Sequence, residues 1–207
     1  MNEDRWIALM QAMGFEPAID CYHALYQAYS EPQRFYHTVK HINAMLAHFD
    51  SVKHLAEQPA ELELAIWFHD AIYNIPSSSN ELDSARWAKQ FVQSKGYAEA
   101  GTQRIFDLIM ATQHHEKSTL IDANLIIDID LAILGSAPAT YDEFEQNIRR
   151  EYHMVPEAIY REKRAEILAH FLATGQIYKL DRFISQYENA ARENIRCAIE
   201  RLKTNHH

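Results

Sequence analysis

Glycine and proline are scarce, with five and six in 207 residues. The segments between these breakers are long, and none of useful length alternates apolar and polar residues as a half-buried strand does. Cysteine is scarcer still. Cys21 and Cys197 stand in unrelated contexts and suggest neither a disulfide framework nor a thiolate metal site. No apolar run approaches the length of a membrane span. The opening Met-Asn-Glu-Asp-Arg has no basic stretch leading into an apolar one, so no signal peptide is expected and a reducing, cytoplasmic setting is the default. Positive charge is also short: 20 Lys and Arg face 29 Asp and Glu, a formal net charge of −9. Such a chain lacks the cationic footprint that a nucleic-acid polymer requires. A small phosphorylated substrate remains open, because a metal supplies positive charge locally.

What remains is helical periodicity. Trp6, Leu9, Met10 and Met13 make a first helix stopped by Gly14, and Pro17 opens a second in its first turn. A long third helix is predicted over about 34–56, and a fourth begins near Pro59 and carries His69 and Asp70 in its middle. Ser79 or Asn80 caps a fifth, which ends near Gly96, and a sixth runs from Thr102 to His114 and His115. A seventh covers about 124–134, closed by Gly135. Thr140-Tyr-Asp-Glu143 reads as a capping box for the eighth, Pro156 starts a ninth that Gly175 ends, and Asp181 caps the last. The expected class is all-α, one domain over 1–207 with no repeat and no linker.

Histidine is abundant, twelve in all, and placement matters more than number. His206 and His207 end the chain and are set aside. In Ala65-Ile-Trp-Phe-His69-Asp70-Ala-Ile-Tyr73 two ionisable groups are carried into an apolar stretch. An uncompensated buried carboxylate costs several kcal/mol or more, and a divalent cation is one group that satisfies both side chains. A hydrogen-bonded His–Asp pair is the plainer alternative. On the third helix Arg34, His37 and His41 fall three and four residues apart and line one strip beside the apolar stripe of Ile42, Met45, Leu46 and Phe49. In Leu125-Ile-Ile-Asp128-Ile-Asp130, helical phase puts Asp130 among Ile126, Ile127, Ile133 and Leu134 and so in the core face. Asp128 then lies near the helix start, as a cap.

A histidine, then a His-Asp pair, then a distant aspartate in an apolar segment is an order that resembles the HD-domain superfamily of metal-dependent phosphohydrolases. The stretches Glu31-Pro-Gln-Arg-Phe-Tyr-His37-Thr-Val-Lys-His41, Ala65 to Tyr73 and Asp128 to Gly135 further resemble a bacterial group of predicted HD phosphohydrolases. The resemblance implies an HD-type helical bundle over about 31–135 with additional C-terminal helices over about 140–203. It also implies a divalent ion (Mn, Fe, Co, Ni, Zn or Mg) held by His41, His69, Asp70 and Asp130, with His37 the alternative to His41 as first ligand. Asp70 is then also the proton acceptor, and His37 and His115 stand beside it as catalytic groups. Arg34 and His114 become substrate contacts. The implied activity is hydrolysis of a small phosphomonoester or nucleotide. A di-iron oxygenase of the same superfamily and a non-catalytic metal- or ligand-binding module are the alternatives.

Overall fold

The computed structural model describes residues 1–204; His206 and His207 lie outside the described residues. Among the described residues there is no strand, and ten α-helices follow one another as the periodicity predicts. No single helix among them is long and apolar enough to cross a membrane. The chain forms two compact units, Met1–Ile129 and Asp130–His207, where the sequence suggests a core to about 135 and an extension from about 140. The division falls where helix passes directly into a 3-10 turn, and no Pro, Gly or Ser run marks it.

The first unit holds α1 (Glu3–Ala12), α2 (Ile19–Ala28), α3 (Val39–Val52), α4 (Pro59–Phe68), α5 (Asn80–Ser94), α6 (Glu99–His114) and α7 (Ile121–Asp130). Its centre is α4. Leu62, Leu64, Ala65, Ile66, Trp67 and Phe68 are all fully buried, as expected of a helix apolar around its circumference. Trp6 meets Trp67 edge-on at 5.3 Å, and Phe68 stacks on Phe91 at 5.7 Å. The acid in this helix is not left alone. Glu61, 2 % exposed, accepts from Tyr97 Oη and from both Nε and Nη2 of Arg104, which ties α4 to α6.

Several boundaries differ from the sequence reading, the seventh helix among them, which runs Ile121–Asp130 rather than about 124–134. The third helix starts at Val39 rather than near 34, because the Thr38 hydroxyl accepts the Lys40 N–H and caps it; residues 31–38 are turns. The fourth ends at Phe68, so His69 and Asp70 follow the helix instead of lying within it. The eighth, α8 (Pro138–Glu151), starts with Pro138 at its first position, which puts Thr140 inside the first turn and not at the cap.

The seventh helix brings a correction of phase. Asp122 through Ile129 are all buried, and only the two end residues, Ile121 and Asp130, keep partial exposure. Asp128 is therefore a fully buried acid and no cap, while Asp130 is half-buried. A helix covered on every side offers no exposed face from which phase can be read. The residue that does cap is Asp122, and it caps another helix: its two carboxylate oxygens accept the N–H groups of Glu57 and Gln58, each at 2.8 Å, at the entrance to α4.

The second unit begins with the 3-10 turn Leu131–Gly135 and continues through α8, α9 (Glu157–Ala173) and α10 (Asp181–Thr204). Polar side chains fasten the turn to its neighbours. Asn194 donates to the carbonyls of Leu134 and Ser136, and Tyr178 Oη donates to that of Leu131. Gly135 lies so close to α10 that an added Cβ would stand 2.6 Å from Tyr187 Cβ and 2.8 Å from the Tyr187 carbonyl oxygen.

Two stability outcomes follow. Asp122→Ala removes a bidentate cap and is expected to cost about 1–2 kcal/mol in urea unfolding. Gly135→Ala pushes a methyl against backbone that cannot rotate away, and a loss of about 1–3 kcal/mol is expected in the same measurement. Wild-type midpoints for either variant refute the corresponding contact.

Candidate metal centre

A buried helix C-terminus leaves carbonyls that water cannot reach, so side chains and the following turn must supply the donors. At the end of α4 they do. The His69 N–H reaches the Ala65 carbonyl at 2.9 Å and the Ala71 N–H reaches that of Phe68 at 2.9 Å. Tyr29 Oη donates to the Trp67 carbonyl at 3.1 Å and accepts the Asp70 N–H at 3.3 Å. The Ile66 carbonyl is 2.9 Å from His69 Nδ1. A carbonyl only accepts, so this contact assigns the ring proton to Nδ1 and leaves Nε2 of the neutral ring with a lone pair.

Close to that nitrogen lie His41 and Asp70. His41 Nε2, delivered by the first turn of α3, lies 3.2 Å from His69 Nε2. Asp70 Oδ2 lies 3.0 Å from His69 Nε2, 3.6 Å from His41 Nε2 and 4.0 Å from His37 Nε2. The side chains of His41 and His69 are 3 % and 1 % exposed, and Asp70 keeps 14 %, so the cluster opens on the carboxylate side. Burial pushes the Asp70 carboxyl up, but His69, His37 and His41 outweigh it and hold the group well below the usual carboxylate range.

Asp130 is the last residue of α7, one uninterrupted helix whose other nine residues belong to the first unit. One ligating atom from each of His41, His69 and Asp130 lies within 4.8 Å of the others, and this group could hold a metal ion. Two ligands on one ion with bonds of about 2.0–2.2 Å stand about 3.0–3.4 Å apart, close to the separations found among His41, His69 and Asp70. Imidazole nitrogen with carboxylate oxygen suits a borderline divalent cation. The C-terminal end of α4 adds negative partial charge where such a cation would sit. The donor set fits.

His37 precedes α3 instead of riding on it, so the helical strip predicted for Arg34, His37 and His41 does not exist. His37 nevertheless reaches the cluster's edge by another route. It is half-buried, stacks on Tyr73 at 4.2 Å and lies edge-on to Tyr36 at 4.9 Å. Arg34 is a clearer correction. Its side chain is 1 % exposed, and the guanidinium donates to the carbonyls of His37, Asp70 and Ala71 and to Glu31 Oε2. A group committed to four acceptors inside the protein is not presented to a substrate. His114, also expected to touch substrate, is exposed at the end of α6. His115 is half-buried and ends that helix in the left-handed conformation, φ 54°. Neither belongs to the group that could hold an ion.

Sequence reasoning missed Tyr36 and Tyr73, whose rings meet those of His37 and His41, and Tyr29, which bonds the Asp70 N–H. Their only signal is aromatic content near the motifs, and that is equally the signature of a core. Comparison with protein-family models, with curated proteins and with solved structures finds no match.

Protein dialysed against Ni or Mn is expected to bind about one ion per chain, and His41→Ala or His69→Ala to abolish binding. Imidazole must be unprotonated to ligate, so moving from pH 8 to pH 5 should weaken binding by more than about tenfold. A carboxyl held below its usual range keeps its charge down to lower pH, so Asp70 stays ionised across this window and the loss tracks the histidines. Affinity independent of pH, or undiminished in both alanine variants, refutes the assignment.

Proposed function

We infer that this protein is a metal-dependent phosphohydrolase acting on a small phosphomonoester or nucleotide. The observation that supports this is the convergence of His41 Nε2, His69 Nε2 and Asp70 Oδ2 on one small volume, with a half-buried carboxylate on the open side. The order of these residues in the chain, H…HD…D with Asp130 as the last member, resembles that of the HD superfamily.

His41, His69, Asp70 and Asp130 would hold the ion. When bound, a divalent cation supplies Lewis acidity towards a phosphoryl oxygen and lowers the pKa of a water towards ~7. The chain's own residues do the rest. Asp70, whose Oδ2 lies on the open side of the cluster, is the residue placed to accept the proton of the attacking water. His37 Nε2, 4.0 Å from Asp70 Oδ2, stands where an imidazole can take that proton onward or donate to a phosphoryl oxygen. Tyr73 and Tyr36 hold its ring by stacking and edge contact. The Ile66 carbonyl keeps a His69 proton on Nδ1, the nitrogen away from the site.

A screen of phosphomonoesters and nucleotides with Mn, Co, Ni, Zn or Mg should reveal phosphate release that chelation abolishes. Asp70→Asn removes the base and should lower kcat by about a hundredfold or more. His37→Ala should lower it less while leaving metal content at the wild-type level. A metal-loaded protein that releases no phosphate from any member of the panel refutes the assignment to phosphohydrolases.

A further inference from the structure

The residues that hold the end of α4 belong to no part of the proposed chemistry, yet they decide where its ligands point. Arg34 meets two tyrosine rings, its guanidinium carbon 5.2 Å from the Tyr29 centroid and 5.5 Å from that of Tyr73. Tyr73 also stacks on His37. In the plane of the guanidinium, Nη1 donates to the Asp70 carbonyl at 2.6 Å and Nη2 to the Ala71 carbonyl at 2.9 Å. Tyr29 Oη bridges the Trp67 carbonyl and the Asp70 N–H. The backbone of Asp70 is therefore gripped on both sides, its N–H by Tyr29 and its C=O by Arg34.

We propose that Tyr29 and Arg34 form a clamp that sets the aim of His69 and Asp70, which makes Arg34 a positioning residue of the metal centre. The proposal rests on the metal-centre reading above. Two consecutive carbonyls, at Asp70 and Ala71, need two donors at this place. Arginine meets both with a rigid fork, whereas a lysine ammonium is a compact point charge that does not reproduce the fork. Glu31, through Oε2 on Arg34 Nε at 3.0 Å, fixes the remaining edge of the guanidinium.

Outer groups that orient metal ligands typically change affinity 10–100-fold when replaced. The test measures cobalt affinity and the visible absorption of bound cobalt, which reports coordination geometry, in wild type, Arg34→Lys and Tyr29→Phe. Far-ultraviolet circular dichroism checks that each variant is folded. Arg34→Lys is expected to lose about 10–100-fold in cobalt affinity with an altered spectrum. Tyr29→Phe, which deletes one oxygen from the clamp, should shift both readings in the same direction and by less. Should Arg34→Lys not fold, Tyr29→Phe decides the question alone. Folded variants with wild-type affinity and spectrum overturn the clamp and leave the metal reading intact. Wild-type protein that takes up no cobalt overturns the metal reading, and the clamp's role with it. Failure of both variants to fold assigns Tyr29 and Arg34 to the fold alone and overturns the proposal as well.

Discussion

A helix that is apolar on every side must end somewhere, and α4 ends inside the protein. Its last carbonyls are out of reach of water, and each one left unpaired would cost about 1–3 kcal/mol. The donors that answer them are His69 through both its backbone and its ring, Ala71, and Tyr29. The turn that follows exposes two further carbonyls, and Arg34 answers those. Termination of this one helix and construction of the His–Asp cluster are thus the same event. The ring that pairs with Ile66 cannot also turn its Nδ1 to the site, so its other nitrogen faces His41 and Asp70 by necessity.

The same constraint explains what could be read from the chain and what could not. His69-Asp70 is visible in sequence because two ionisable residues interrupt an otherwise apolar stretch, and any fold that buries the stretch must compensate them. Helix succession is visible because glycine and proline are so few that each one punctuates. Helix phase is another matter. It carries information only where one face is wet, and α7 has none, so the comparison of Asp128 with Asp130 by phase inverts their burial. Arg34 misleads for a related reason. An arginine three residues before a histidine looks like a phosphate contact when both are placed on a helix, but Thr38 starts that helix four residues later and the intervening turns swing the guanidinium inward. Capping by Asp122 across 64 residues of chain leaves no local trace at all.

The second unit solves a similar problem with different parts. Its opening turn presents carbonyls at Leu131, Leu134 and Ser136 that Tyr178 and Asn194 satisfy from elsewhere in the unit. The loop before α10 is secured by Glu188, whose carboxylate accepts the N–H groups of Ile177 and Tyr178 and the Nε of Arg192. Arg164 and Glu145 pair at 2.7 Å, with side chains 12 % and 15 % exposed. Buried pairs of this kind gain little net stability against an apolar alternative, but losing one partner is costly. Both units therefore rely on a few polar side chains that close off backbone groups where regular structure stops.

Within the His–Asp cluster, a proton and a divalent cation are not equivalent. With the His69 proton on Nδ1, an N–H at His41 Nε2 can donate to His69 Nε2 at 3.2 Å, which leaves Asp70 Oδ2, 3.0 Å from the same nitrogen, with no proton from His69. Charging both histidines would place two cationic rings about 5 Å apart, centroid to centroid, in a site where neither side chain exceeds 3 % exposure. Like charges repel strongly at that separation without water to screen them. A single divalent charge would engage both nitrogens and the carboxylate at once and would leave both rings neutral. A divalent ion is thus one charge that can meet the two nitrogens and the carboxylate together, and His41, His69 and Asp130 form a group that could hold it.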